Sequence, residues 1–160
     1  MMNKHLIKEL EEKFEETRKE LGLKSSLEEM DKIFFIKDFI LREKFVSDRF
    51  SRQLCSRILE TYNSWISYLH NFVFPNPGNM VSIMENKMLD ENEKKKVSEI
   101  FKKTLNLTSK NPLIGLTKDK KEEGKFIDEA VNFWNNYFEQ EMIKIMKKIS
   151  KSWESEAHGI

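Results

Sequence analysis

Four of the five arginines fall between residues 42 and 57: Arg42, Arg49, Arg52 and Arg57. Elsewhere the chain writes lysine, which outnumbers arginine 23 to 5. A guanidinium is a planar fork that meets a carboxylate or phosphate in two-pronged fashion, which an ammonium cannot reproduce. The cluster therefore points to recognition of an anionic group, unless internal acids such as Asp38, Glu43, Asp48 or Glu60 occupy the forks. Gln53, Ser56, Glu60, Asn63, Ser67 and His70 follow Arg49 in steps of three and four. On a helix that spacing draws one polar stripe. Such a stripe faces water, lines a cavity or meets a partner.

Three further features carry polar chemistry. The segment Pro75-Asn76-Pro77-Gly78-Asn79 is stiffened by its prolines and offers two amides, Asn76 and Asn79, as binding groups. His70 stands just before it, at a helix end that favours a protonated ring. Lys94, Lys95, Lys102 and Lys103 recur with helical spacing and can contact phosphates. Glu91, Glu93 and Glu99 are interspersed among them.

Several chemistries are absent. The glycines at 22, 78, 115, 124 and 159 form no phosphate-cradling loop, so neither a dinucleotide fold nor a Walker motif is present. No Glu-x-x-His pair precedes His5, His70 or His158, so no di-iron bundle is expected, and no metal or cofactor is assigned. Cys55 and His70 share one expected helix, 15 residues or roughly 22 Å apart, which forbids a thiol–imidazole dyad. With one cysteine the chain cannot close an internal disulfide, which fits a reducing compartment. The first residues lack the apolar core of a secretion signal, and apolar runs such as Phe34-Phe35-Ile36 and Phe72-Val73-Phe74 are far short of a membrane span. A cytoplasmic protein without membrane attachment is expected.

The elements that must position these groups are helical throughout. The chain has 160 residues, about one domain's worth. It is 39% hydrophobic and 34% charged, with 28 basic and 27 acidic residues, too balanced for a polycation. Residues 4–22 place Leu6, Ile7, Leu10, Phe14 and Leu21 on one stripe, with Gly22 as a stop. Ser26 and Glu29 form a capping-box pattern that opens a helix to about Glu43. A long central helix is expected over 46–73, ended by the proline segment. Met80, Met84 and Met88 imply a short helix, and Asp90 opens another to about Leu107. Residues 108–118 are expected as a loop, and Asp119 with Glu122 caps a long C-terminal helix over 119–153. A helix of that reach, about 58 Å if carried to 157, exceeds the roughly 40 Å diameter of a compact chain of this size. It must break or protrude, and Gly124, Asn135-Asn136 and Ser150–Ser152 are the weak points. Residues 154–160 are expected as a frayed tail.

The expected fold is all-α: a single compact domain over 1–160, a bundle of five to six helices. The leading expectation for function is a non-enzymatic module that binds a protein or ribonucleoprotein partner. It would do so through Arg42, Arg49, Arg52, Arg57, His70 and the Asn76–Asn79 loop. A second is an RNA-binding accessory protein in which Arg42–Arg57 and Lys94–Lys103 meet phosphates. A third is a small enzyme with a pocket near Glu60, Asn63 and His70. It lacks a complete acid–base or nucleophile set.

Overall fold

In a computed structural model, which describes residues 2–159, nearly every amphipathic stretch forms a helix. Helix α1 (Met2–Leu21) buries Leu10 and Phe14 completely. It ends at Gly22, whose positive φ of 67° closes the helix as the Leu23 N–H reaches back to the Arg18 carbonyl (3.0 Å).

The helix expected over residues 26–43 is two. Helix α2 (Leu27–Phe34) starts at Ser26, whose hydroxyl accepts the Glu29 N–H. The reciprocal half of the capping box is missing, because the Glu29 carboxylate turns away to accept the Asn135 side-chain amide (3.0 Å). Phe35 then adopts a left-handed backbone (φ 53°, ψ 53°), and α3 (Ile36–Glu43) sets off in a new direction. The Asp31 carboxylate takes the Lys37 N–H at the restart (2.8 Å). The bend lets Ile33, Phe34, Ile36, Phe39 and Ile40 all face the core, which a straight helix with so wide an apolar arc cannot do.

Helix α4 (Phe50–Val73) is the central element, as expected, and packs against α1, α2, α3, α6 and α8 and against α5. It opens at Phe50 rather than 46 or 47. Gln53 explains the difference: its side chain accepts the Ser47 N–H and donates to the Phe45 carbonyl, holding 45–47 out of the helix. Gln53 is accordingly buried, so it leaves the solvated stripe.

The proline loop is followed by α5 (Met80–Met88), capped by Asn79, and α6 (Glu91–Thr108), opened by a complete Asp90/Glu93 capping box. The methionine stripe of α5 meets the core only at Met88, with Met84 half-buried. Met80 is 71% exposed, and α5 is instead fastened by Ser82 to the Asn71 carbonyl and by Asn86 to the Phe72 carbonyl.

Residues 108–118, expected as a loop, contain helix α7 (Lys110–Thr117). Pro112 sits in its first turn, where the missing N–H has no partner to lose. Of its apolar residues only Ile114 is buried; Leu113 and Leu116 point outward.

The C-terminal run is α8 (Lys120–Phe133), a π-helical turn (Trp134–Phe138) and α9 (Glu139–His158). The expected break falls at Asn135-Asn136, but as one wide turn rather than an interruption. At Gly124 the missing side chain admits the Leu21 backbone; a Cβ there would stand 3.1 Å from its carbonyl oxygen. Helix α9 continues to His158 instead of fraying at 154, although residues 154–158 bury nothing. Its last anchor is Trp153, whose indole N–H donates to Glu85 (2.9 Å). Residue 160 of the expected tail lies outside the described residues, as does Met1 of the expected start.

The all-α single bundle is therefore observed, with more helices than five to six. Counting α2–α3 as one bent rod, and α8 to α9 as another, gives seven among the described residues. The π-turn packs around Tyr62. That ring meets Phe138 at 5.5 Å, Phe34 at 6.0 Å and Trp134 at 6.0 Å between centroids. Its hydroxyl donates to the Ala130 carbonyl at 2.6 Å. Tyr62→Phe removes that donor from a carbonyl that keeps the Trp134 N–H, and is expected to lower stability by about 0.5–1.5 kcal/mol. Chemical denaturation followed by the Trp signal measures it.

Candidate functional site

The four clustered arginines do not share one face. Arg49 immediately precedes α4 and Arg52 lies in its first turn, while Arg57 is about 140° round the helix from Arg52 at 100° per residue. The structure sends them into two separate depressions.

Arg57 and Arg42 edge an open groove of about 1000 Å³ between the α2–α3 bend, α4 and the π-turn. The bend at Phe35 leaves the last carbonyls of α2 without helical partners, and the Arg57 Nε–H donates to the Phe34 carbonyl at 2.6 Å. Its Nη1–H donates to Glu60 at 3.0 Å, and Arg42 donates to the same carboxylate oxygen at 3.3 Å. Both guanidiniums lie against the Phe39 ring, at 5.4 Å (Arg42) and 5.7 Å (Arg57). Two cations thus share one acid, and Arg42 adds a looser contact to Glu43 (3.6 Å). The floor holds Trp65 and Trp134, both half-buried, with Phe35 exposed at the rim. Asn63, Ser64 and Ser67, on the outer side of α4, complete the groove.

Arg49 and Arg52 line a narrower cavity of about 220 Å³ between α1, α4, α7 and α8. Arg52 is held. It donates to the Asn111 side-chain carbonyl (3.2 Å) and stands 3.9 Å from Glu123. Gly115 leaves room for it, since a Cβ there would come within 3.3 Å of the guanidinium. Glu123 is only 4% exposed and accepts a hydrogen bond from the Ser51 hydroxyl (2.5 Å). Arg49 makes no ion pair among the described residues.

The remaining expected residues lie elsewhere. His70 is exposed and packs on Phe74 (5.2 Å) and Phe101 (6.1 Å), two turns beyond Asn63 and outside both depressions. Asn76 and Asn79 spend their side-chain oxygens locally: Asn76 accepts the Gly78 N–H, and Asn79 accepts the Ser82 N–H as the cap of α5. Lys94 pairs with Glu91, and Lys103 pairs with Glu99 while lying 4.2 Å from the Tyr137 ring centre. The hydrogen bond from Lys103, then that from Tyr137, holds the Glu99 carboxyl below its usual range. Lys95 and Lys102 are exposed and make no ion pair among the described residues.

Glu123, Asn111, Phe35 and Trp134 had no part in the expected site. A lone acid in a charged segment gives no sign that it will be buried, and Asn111 looked like a loop residue. Phe35, at the junction of two apolar faces, is the one position where the wide apolar arc of residues 30–40 carried a signal.

Comparison of the chain with protein-family models, with curated proteins and with solved structures gives no match. Among the described residues there is no cluster of His, Cys, Asp or Glu able to hold a metal, and no helix long and apolar enough to cross a membrane.

Cys55 is fully buried on α4, and burial pushes its thiol up to about 12, partly offset by the nearby Arg52 charge. The unfolded chain ionises first, so this group's contribution to stability is complete below the ordinary thiol range and is lost as pH rises toward about 12. A disulfide-exchange reagent at pH 8 is expected to label Cys55 only at the rate of global opening. Labelling at the rate of a free thiol is the contrary result.

Proposed function

We propose that the chain is a non-enzymatic interaction module that docks a protein partner in the groove edged by Phe35, Arg42 and Arg57. The observation that carries this reading is Phe35. It is 56% exposed, it is bulky, and it holds a left-handed backbone that residues other than Gly, Asn or Asp rarely adopt. Neither burial nor backbone preference accounts for a phenylalanine there, whereas an aromatic anchor for a partner does. Trp65 and Trp134 beside it are of the residue type that dominates interface energetics. Arg42 and Arg57 share Glu60, with Glu43 adding a looser contact to Arg42 and the Phe34 carbonyl taking the Arg57 Nε–H, and the N–H donors left over can take an acid from the partner.

The groove favours a protein over a nucleic acid. Lys32, Arg42 and Arg57 face Glu60 and Glu139 across it, and no residue of α6 with its lysines takes part. A phosphate backbone would meet those two carboxylates at close range. An enzyme reading has less support, since His70 stands apart from Glu60 and Asn63. The buried, unpaired thiol of Cys55 favours a reducing, cytoplasmic setting.

Phe35→Gly separates the anchoring role from a structural one. Glycine relieves left-handed strain of about 1–2 kcal/mol against a backbone entropy cost of about 0.5–1 kcal/mol. Stability is expected to hold or to rise by up to about 1.5 kcal/mol. Capture of the partner from extracts of the source organism is expected to fall at least about tenfold in Phe35→Gly and in Arg42→Ala. Lys95→Ala is expected to leave it unchanged. Capture that survives both groove variants overturns the reading. Capture abolished by nuclease, with a steep salt dependence, replaces the protein partner with RNA.

A further inference from the structure

We infer that the cavity between α1, α4, α7 and α8 binds the phosphate group of a small molecule, with Arg49, Arg52 and Lys118 as its contacts. The cavity is independent of the groove; no residue lines both. Its volume of about 220 Å³ is several times the share of one water.

The charges lining it divide by whether the fold already uses them. Lys13 is tied to Glu16 (3.5 Å), and Lys120 to Glu20 (2.7 Å). Lys120, through its hydrogen bond and its charge, holds the Glu20 carboxyl below its usual range. Arg49 and Lys118 line the same cavity and make no ion pair among the described residues. Asp48 at the rim is the remaining acid, also without an ion pair. The uncommitted charge is therefore positive.

The floor is built for a fixed guanidinium. Asn111, Glu123 and Gly115 hold Arg52 from three sides, and Ser51 satisfies the far oxygen of Glu123. Burying a carboxylate in this way is costly unless it is paired and hydrogen-bonded, and a hydrophobic residue would pack there more cheaply. What the network achieves is to immobilise the Arg52 guanidinium on the wall of a cavity that Arg49 also lines, and a guanidinium is a planar fork suited to a phosphate. Lys118 ends α7 in a left-handed conformation (φ 57°) and adds a third cation to the lining. The start of α4, which lacks a side-chain cap, adds a favourable field but does not make the site.

Calorimetric titration of the full chain with inorganic phosphate, and separately with glycerol phosphate, tests the inference. Saturable one-to-one uptake is expected, persisting at about 0.15 M salt because the contacts are direct rather than screened. Glycerol phosphate binding more tightly than phosphate would identify a phosphorylated small molecule as the occupant; equal affinities would identify the free ion. Arg49→Ala and Lys118→Ala, both at exposed positions, are each expected to weaken uptake about tenfold. Asp48→Asn is expected to strengthen it about two- to fivefold by removing a like charge. Lys95→Ala, an exposed cation on α6, is expected to change nothing. No saturable uptake of either compound overturns the inference. So does uptake that ignores Arg49→Ala and Lys118→Ala, or that weakens in Asp48→Asn.

Discussion

The hydrogen bond from the Tyr62 hydroxyl to the Ala130 carbonyl joins the two longest elements of the molecule at the point where one of them changes its winding. The C-terminal run is too long to lie straight along a domain of this size. At Trp134–Phe138 it takes a single wide turn, and the extra residue rotates everything after it relative to everything before. Tyr62 fills the space opened by that turn, ringed by Phe34, Phe133, Trp134 and Phe138. Edge-on packing of this kind adds about 0.5–1.5 kcal/mol per pair to the burial of the rings themselves. The same turn sets Trp134 on the groove floor and carries Asn135 to Glu29, so the outer shape of the groove follows from an adjustment inside the core.

A second constraint is the shortage of acids around the arginine cluster. Arg57 answers a defect of the backbone, the unpartnered carbonyl where α2 stops at Phe35, and then shares Glu60 with Arg42. Arg52 is enclosed by its own network. Each needs a fork: a lysine can serve one partner from a point charge but not a carbonyl and a carboxylate set at an angle. Much of the contrast between arginine here and lysine elsewhere therefore has an internal cause. Arg49 is the member with no such employment, and both depressions retain more donors than the fold consumes.

How far the site could be read in advance depended on range. Arg42, Arg49, Arg52 and Arg57 stood out by type and spacing alone. Their division between two depressions required knowing that α7 and α8 close over the start of α4, while the α2–α3 bend opens beside its middle. Nothing near Glu123 in the sequence marks it for burial; its place against Arg52 and Ser51 is settled by partners 71 and 72 residues away in the chain. The Asn76 and Asn79 amides looked available because a Pro-Gly loop is legible as a loop. Their use as a local turn and a helix cap is equally local chemistry and follows from the same residues.

The all-helical character, the central span of α4, the stops at Gly22 and Pro75, and the caps at Ser26, Asp90 and Asp119 were all written in the amino-acid order. Each rests on contacts within a few residues: the 3.6-residue period, a side chain reaching an N–H two or three positions on, a fixed φ at proline. Three features lay beyond that reach: the bend at Phe35, the helix at 110–117 and the buried Arg52–Glu123 pair; of the C-terminal turn, the place at Asn135-Asn136 was legible and the wide winding was not. In each, local preference is weak or opposed, and the chain adopts the form that lets distant apolar faces close without leaving a buried polar group unpaired.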